Sequence, residues 1–302
     1  MSPIAQHFER HYKNRSVQID LPASYENLER VCVAQVEALA GSYPRMYQMW
    51  RMLNNDPETL ANWDMADFMT VNKLGYNDHG RTHAVIASAN AVLIFDLLCS
   101  AGLMPDVVGS GAGDFDDSCL TVAAATLLHD IGNQVHRKHH EMIGVGLARS
   151  ILDRLMPQIY PSIEQRIELR GFILHAILCH DFDPPPLTFE AALVAIADGT
   201  DVTKGRGRQA FDLGKVDIHS VSALAIDEVH ISRGAEFPVE ITVVMNNSAG
   251  IFQIEDTLTR KIVKGPLSPH VTVVAMTRPE DATSDARIIQ RLTLRNGVFV
   301  AE

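Results

Sequence analysis

Apolar residues spaced three and four apart run through most of this 302-residue chain, and that period constrains the fold more than any other feature. In the stretch 25–75, Leu28, Val31, Val36 and Leu39 follow it, and Gly41 and Pro44 mark a stop. Two more helices are predicted there, one through 47–53 and one opening at Pro57 behind an Asp56 cap. Met46, Met49, Met52, Met65 and Met69 crowd this region, as expected of residues that fill irregular core gaps. Further helices are predicted over 83–99, 118–130, 135–156, 162–179 and 188–202. The VVGSGAGDFDD stretch between the first two of these reads as a flexible linker. As a phosphate cradle it lacks a P-loop lysine and a preceding strand, and its acids repel phosphate.

Beyond Gly214 the period changes. The segments 228–232, 239–245, 271–276 and 288–300 are rich in Val, Ile and Thr and read as strands, with a helix predicted over 248–263. The expectation is a mainly α protein with a smaller C-terminal α+β domain. An N-terminal helical segment over 1–75 packs on a helical core over 76–214, and the small domain occupies 215–302. A chain of this length suits a large core plus a smaller module, and 46% hydrophobic with 21% charged residues is an ordinary globular balance. The formal charge of −11 opposes binding to a nucleic-acid polymer, whose backbone needs many cationic contacts, but it is compatible with a small phosphorylated ligand. Cys32, Cys99, Cys119 and Cys179 lie far apart without CxxC pairing and read as reduced core residues. The opening MSPIAQHFERHYKNR has no apolar signal stretch, so a cytoplasmic location is expected. The apolar window 84–104 is punctuated by Ser88, Asn90 and Asp96 and reads as a buried helix, with no membrane partner.

Thirteen histidines are present, and their placement matters more than their number. His79, His83, His129, His136, His139, His140, His175 and His180 fall on or beside the predicted helices. Imidazole nitrogens and carboxylate oxygens suit divalent ions such as Mn, Fe and Zn, and separate helices can point them into one bundle cavity.

His83, the dyad His129-Asp130 in LLHDIGN, and Asp198 in AIADGTD stand in the order H…HD…D, and over about 76–208 the chain resembles the HD superfamily of metal-dependent phosphohydrolases. The resemblance implies an HD-type helical bundle in which His83, His129, Asp130 and Asp198 hold metal. His129 and Asp130 then form the catalytic centre. His140 in HHEMIG and His180 in AILCHD match positions where binuclear members carry ligands to a second ion. Two divalent ions are therefore expected, Mn or Fe ahead of Mg, Ni and Zn, with Asp130 able to bridge them. His136 shares a helical face with His140 and is held in reserve, and His175 competes with His180. Asp78 and His79 read as a turn with Gly80, and Arg81 as an exposed cation. Lys204, Arg206 and Arg208 form a cationic loop that resembles an anion clamp for a substrate phosphate, and Arg137 is a further substrate-binding candidate.

The expected activity is cleavage of a phosphomonoester or phosphodiester, of a nucleotide or another small phosphorylated metabolite, by metal-activated water. Two alternatives use the same ligands: a two-iron oxygenase, and a nucleotide sensor whose C-terminal module transmits or dimerises. The segment MNNSAGIFQIEDTL either receives an anion at a helix start or is capped by Asn247 or Ser248. The C-terminal strands suit either a homodimer sheet or a cover over the active site. The chain lacks the GYP sequence that marks one class of cyclic-dinucleotide phosphodiesterase.

Overall fold

A computed structural model describes residues 6–12, 15–21, 23–207, 218–277 and 291–301. The helical part contains α1 (Ala23–Leu39), α2 (Pro44–Asn55), α3 (Pro57–Asp67), α4 (Arg81–Ser100), α5 (Asp106–Gly109), α6 (Phe115–Leu128), α7 (His140–Leu155), α8 (Ile163–Cys179) and α9 (Phe189–Asp198). α6 is the central helix: every residue from Asp116 to Leu128 is buried, and it packs on α2, α4, α8 and α9. A helix apolar on all sides has to be surrounded in this way. α4 is long and apolar enough to cross a membrane, yet 72% of its apolar window is buried inside the fold. Met46 and Met49 lie in the core, Cys32, Cys119 and Cys179 are buried, and all four cysteines are free thiols.

Local capping follows the sequence. Asp56 accepts from Thr59 N at 2.9 Å ahead of Pro57, and Ser162 and Thr188 cap α8 and α9 through their hydroxyls. After α3 the chain widens into a π-helical stretch, Phe68–Lys73, immediately before the turn that leads into α4.

Ahead of the C-terminal part, three stretches differ from the expectation. Within the first 75 residues, β1 (Gln6–Tyr12) and β2 (Arg15–Leu21) form an antiparallel hairpin from Gln6↔Leu21 to Tyr12↔Arg15, where a helical segment was expected. The alternation of Val17, Ile19 and Leu21 with Ser16, Gln18 and Asp20 is its period-two signal. The supposed linker is ordered: α5 and a tight turn lead to Asp114, which forms a capping box with Asp117 and pairs with Arg45. Asp116 and Asp117 lock the same guanidinium, and Tyr160 Oη donates to Asp117 at 2.6 Å. Lastly, α7 begins at His140 rather than near 135, because the 3₁₀ turn Ile131–Gln134 and a left-handed His139 (φ 62°) reorient the chain first.

The C-terminal part carries α10 (Ile218–Ala223) and a five-stranded mixed sheet of order β3-β4-β5-β6-β7. Its strands are β3 (Ile226–Ser232), β4 (Val239–Met245), β5 (Val271–Thr277), β6 (Arg291–Arg295) and β7 (Val298–Ala301). β4 and β5 run parallel, which requires a crossover. That crossover is one continuous helix: α11 (Gly250–Gln253), a π-helical stretch (Ile254–Thr259) and α12 (Arg260–Val263). Just ahead of it, Asn247 Oδ1 accepts from Ala249 N at 2.9 Å and shapes the turn into the helix, whose N-cap is Ala249. The segment predicted as one strand over 288–300 holds two described strands, because Asn296 and Gly297 both take positive φ and close a hairpin.

Candidate metal centre

Helix ends build the site. α6, α8 and α9 finish at it, delivering His129-Asp130, His180 and Asp198, while α4 and α7 start at it with His83 in the first turn and His140. Converging C-termini carry partial negative charge, which favours cations. The same local device recurs at two of them. His129 is the C-cap of α6 and donates from Nδ1 to Thr126 O at 2.6 Å; His180 is the C-cap of α8 and donates from Nδ1 to Ile177 O at 2.7 Å. Each bond satisfies a last-turn carbonyl and leaves Nε2 facing the centre. His83 Nδ1 is held by Asp201 Oδ2 at 2.8 Å, and His140 Nδ1 by Arg137 O at 3.1 Å.

The Nε2 atoms meet two carboxylates. His83 Nε2 lies 3.2 Å from His129 Nε2, 3.1 Å from Asp198 Oδ1 and 3.4 Å from Asp130 Oδ2. His129 Nε2 lies 3.2 Å from Asp130 Oδ2 and 3.5 Å from Asp198 Oδ1. Donors about 2.1 Å from a shared ion would stand roughly 3.0–3.4 Å apart, so this quartet fits a divalent metal in spacing and in chemistry. A second trio adjoins it: Asp130 Oδ1 is 3.2 Å from His140 Nε2 and 3.9 Å from His180 Nε2, and the two imidazoles are 3.0 Å apart. The two oxygens of Asp130 thus face different donor sets.

Electrostatics keeps the carboxylates in ligand form. Burial works against the charge on Asp130, but His129 outweighs it, and for Asp198 Lys261 does the same, so both stay well below the usual carboxylate range. Burial and Arg206 disfavour a proton on His83, yet Asp130, Asp198 and Asp201 hold it at about 10; His129, likewise buried, is raised to about 9 chiefly by Asp130. Burial lowers His180 to about 4 and His79 to about 3.

Behind the ligands, Asp201 is fully buried and accepts from Tyr25 Oη at 2.7 Å as well as holding His83. It stands where the carboxylate of a carboxylate–histidine–metal arrangement would stand if His83 held an ion, and it was not singled out in the sequence; its position three residues after Asp198 in ADGTD was the available signal. Asp78 accepts from Gly80 N and His83 N and fixes the entry to α4, as a turn residue should. His79 is buried, bonds Asn77 O through Nδ1 at 2.6 Å, and lines the cavity described next. His136 is exposed before α7 begins, so the shared helical face with His140 does not exist. His175 accepts from Leu187 N at 3.1 Å, away from the centre.

The centre opens on a cavity of about 580 Å³. Among the described residues of the cationic loop, Lys204 and Arg206 are engaged elsewhere and do not form the expected clamp. Lys204 is bound to Asp227 at 2.6 Å, and Arg206 is buried with Nε and Nη1 donating to the carbonyls of Asp78 and Asp201. Buried guanidinium donors need partners, and these backbone acceptors satisfy them, although Arg206 still forms part of the cavity wall. Arg208 lies outside the described residues. Arg137 does reach the site: its Nη1 is 2.9 Å from His140 Nε2 and 3.7 Å from Asp130 Oδ1. The cations that sequence reading missed are Arg260 and Lys261 on the crossover helix and Lys264 at its C-cap; Lys261 is ion-paired to Asp198 Oδ2 and lies 3.8 Å from Asp181.

Comparison with known proteins agrees with this geometry. The family model described as HD domain matches residues 107–203. An uncharacterized protein of Methanocaldococcus jannaschii, MJ1020, is 41% identical over 216 residues, which is 72% of this chain and 83% of the relative. No solved structure matches. The chain belongs to the HD-domain family, and its helical core carries that family's histidine–aspartate cluster.

Proposed function

We propose that this protein is a metal-dependent phosphohydrolase that cleaves a phosphoester of a nucleotide or similar small metabolite. It would hold two divalent ions, one by His83, His129, Asp130 and Asp198 and the other by Asp130, His140 and His180. The observation that carries this reading is the split of Asp130, whose Oδ2 faces His83 and His129 at 3.4 and 3.2 Å while its Oδ1 faces His140 at 3.2 Å. Ions in such a site supply an activated water and offset charge on the phosphoryl oxygens.

The chain's own residues do the remaining work. Asp201 fixes the orientation of His83. The Arg137 guanidinium, beside Asp130 and His140, can take a phosphoryl oxygen as charge develops. His79 stays neutral and, with Nδ1 tied to Asn77 O, offers Nε2 to a hydroxyl or water in the cavity. Arg137, Arg260, Lys261 and Lys264 on the cavity wall, set among acids such as Asp181 and Asp256, support a phosphorylated substrate for a site whose acids also face metal ions.

The test is a panel of phosphomonoesters, phosphodiesters and nucleoside polyphosphates, assayed with Mn-, Fe-, Mg- and Ni-loaded protein while oxygen uptake is followed in parallel. Hydrolysis is expected with at least one metal and is lost in His129→Ala and Asp130→Ala. Substrate-dependent oxygen consumption without hydrolysis would overturn the proposal.

A further inference from the structure

The crossover helix between β4 and β5 is two-sided. Ile254, Leu258 and Ile262 are buried and seat it in the core. Gln253, Asp256, Thr257, Arg260, Lys261 and Lys264 recur at three- and four-residue spacing and line the cavity that opens on the metal centre. The π-helical stretch Ile254–Thr259 lies within this face, a local geometry frequent at functional sites. Exposure varies along it, with Gln253 buried and Asp256 and Arg260 exposed. The Lys261 side chain is 12% exposed and paired with Asp198 through Oδ2, the oxygen turned away from His83. Arg260 is 61% exposed, within 3.7 Å of Asp256, and Lys264 is exposed at the rim. Lys264 stands about 4.5 Å further along the axis than Lys261, a step that two linked phosphates span.

We propose that this helix face is the anion-binding wall of the site. Lys261 holds Asp198 and binds the reacting phosphoryl group, while Arg260 and Lys264 receive a second phosphate. The substrate is then a small metabolite with two linked phosphates, and the C-terminal module supplies the discrimination. This inference rests on the phosphohydrolase reading for the chemistry at the metals, but its binding claim is separately measurable.

The experiment is calorimetric titration of the full-length protein, metal-loaded and metal-free, with inorganic phosphate and with pyrophosphate. The wild type should bind pyrophosphate about tenfold more tightly than phosphate, the value of one charge-assisted contact. Arg260→Ala/Lys264→Ala should bring that ratio close to one. Lys261→Ala should weaken both anions by about tenfold, and Lys261→Arg should restore most of the loss. Melting curves identify any variant that fails to fold, and the exposed Arg260/Lys264 pair keeps the test available if Lys261→Ala does. A ratio near one in the wild type, a ratio that survives the double variant, or phosphate affinity indifferent to Lys261 overturns the wall. Anion binding that depends on Lys261, with no phosphoester turned over, would sink the hydrolase reading and leave the wall standing. His129-dependent hydrolysis in a protein whose anion affinities ignore all three cations would do the reverse.

Discussion

The metal centre and the crossover-helix face are both polar clusters, and they are held in opposite ways. In the centre, His83, His129, His140 and His180 are buried, and each has Nδ1 fixed by a carbonyl or carboxylate. On the helix face, exposure rises from Lys261 to the rim, and among its described ion pairs Arg260 is met by an acid on its own helix. Donor atoms that must meet within a few tenths of an ångström need helix ends and backbone anchors. A surface that recognises an anion works with longer, looser cations. Under the proposed function, chemistry belongs to the core and discrimination to the module, a division that substitution can attack from both sides.

The largest effect is expected at Gly132, inside the HDIGN turn. A Cβ there would lie 1.9 Å from His140 O and 2.6 Å from Gly144 N, so even alanine must push α7 and its ligand away from Asp130. Gly132→Ala should cost about 3 kcal/mol in a denaturation experiment and should weaken the ion on the His140 side before the other. Next comes Asp201→Ala, which frees His83 while leaving every ligand present. Metal affinity, read by competition with a coloured chelator, should fall roughly 10- to 100-fold with helix content unchanged.

A smaller effect is expected where core and module touch. Gly199 follows Asp198, and a Cβ there would meet Leu258 Cα at 3.3 Å. Gly199→Ala should displace the crossover helix slightly, lowering phosphate affinity a few-fold at constant metal content. Equal loss of both would erase the distinction between the two regions. The smallest change should come from Asp56, remote from both. It is opposed by burial but bonded by Arg154 and Thr59, so its carboxyl sits below the ordinary value. A depressed carboxyl contributes stability above the unfolded pKa of about 3.9, lost as pH falls through the lower folded value. Asp56→Ala should cost about 1 kcal/mol at pH 7, and the gap from wild type should close below about pH 4, with metal content unaffected.

What was legible in the chain follows the same division. His83, His129, Asp130 and Asp198, with His140 and His180, were readable because ligand chemistry restricts residue type and the motif fixes order. The structure brings all six together. Asp201 and Lys261 were not, because their roles depend on where helix ends point: Lys261 lies 63 residues from Asp198 in the chain yet pairs with it. Lys204 and Arg206 misled through proximity in sequence, since burial turned one onto carbonyls and Asp227 captured the other. The acids of GDFDD looked like linker because their partner, Arg45, lies some 70 residues upstream. Composition separated helical core from sheet module, whereas the Asn296-Gly297 turn, a strong local signal, was passed over within an apolar run.

The central claim is a pair of ions sharing Asp130, and metal stoichiometry by elemental analysis tests it most directly. Two ions per chain are predicted for the wild type, falling below one in Asp130→Asn together with loss of phosphoester hydrolysis. Full metal content retained in Asp130→Asn, or a wild type that binds no divalent ion under any loading condition, would contradict it.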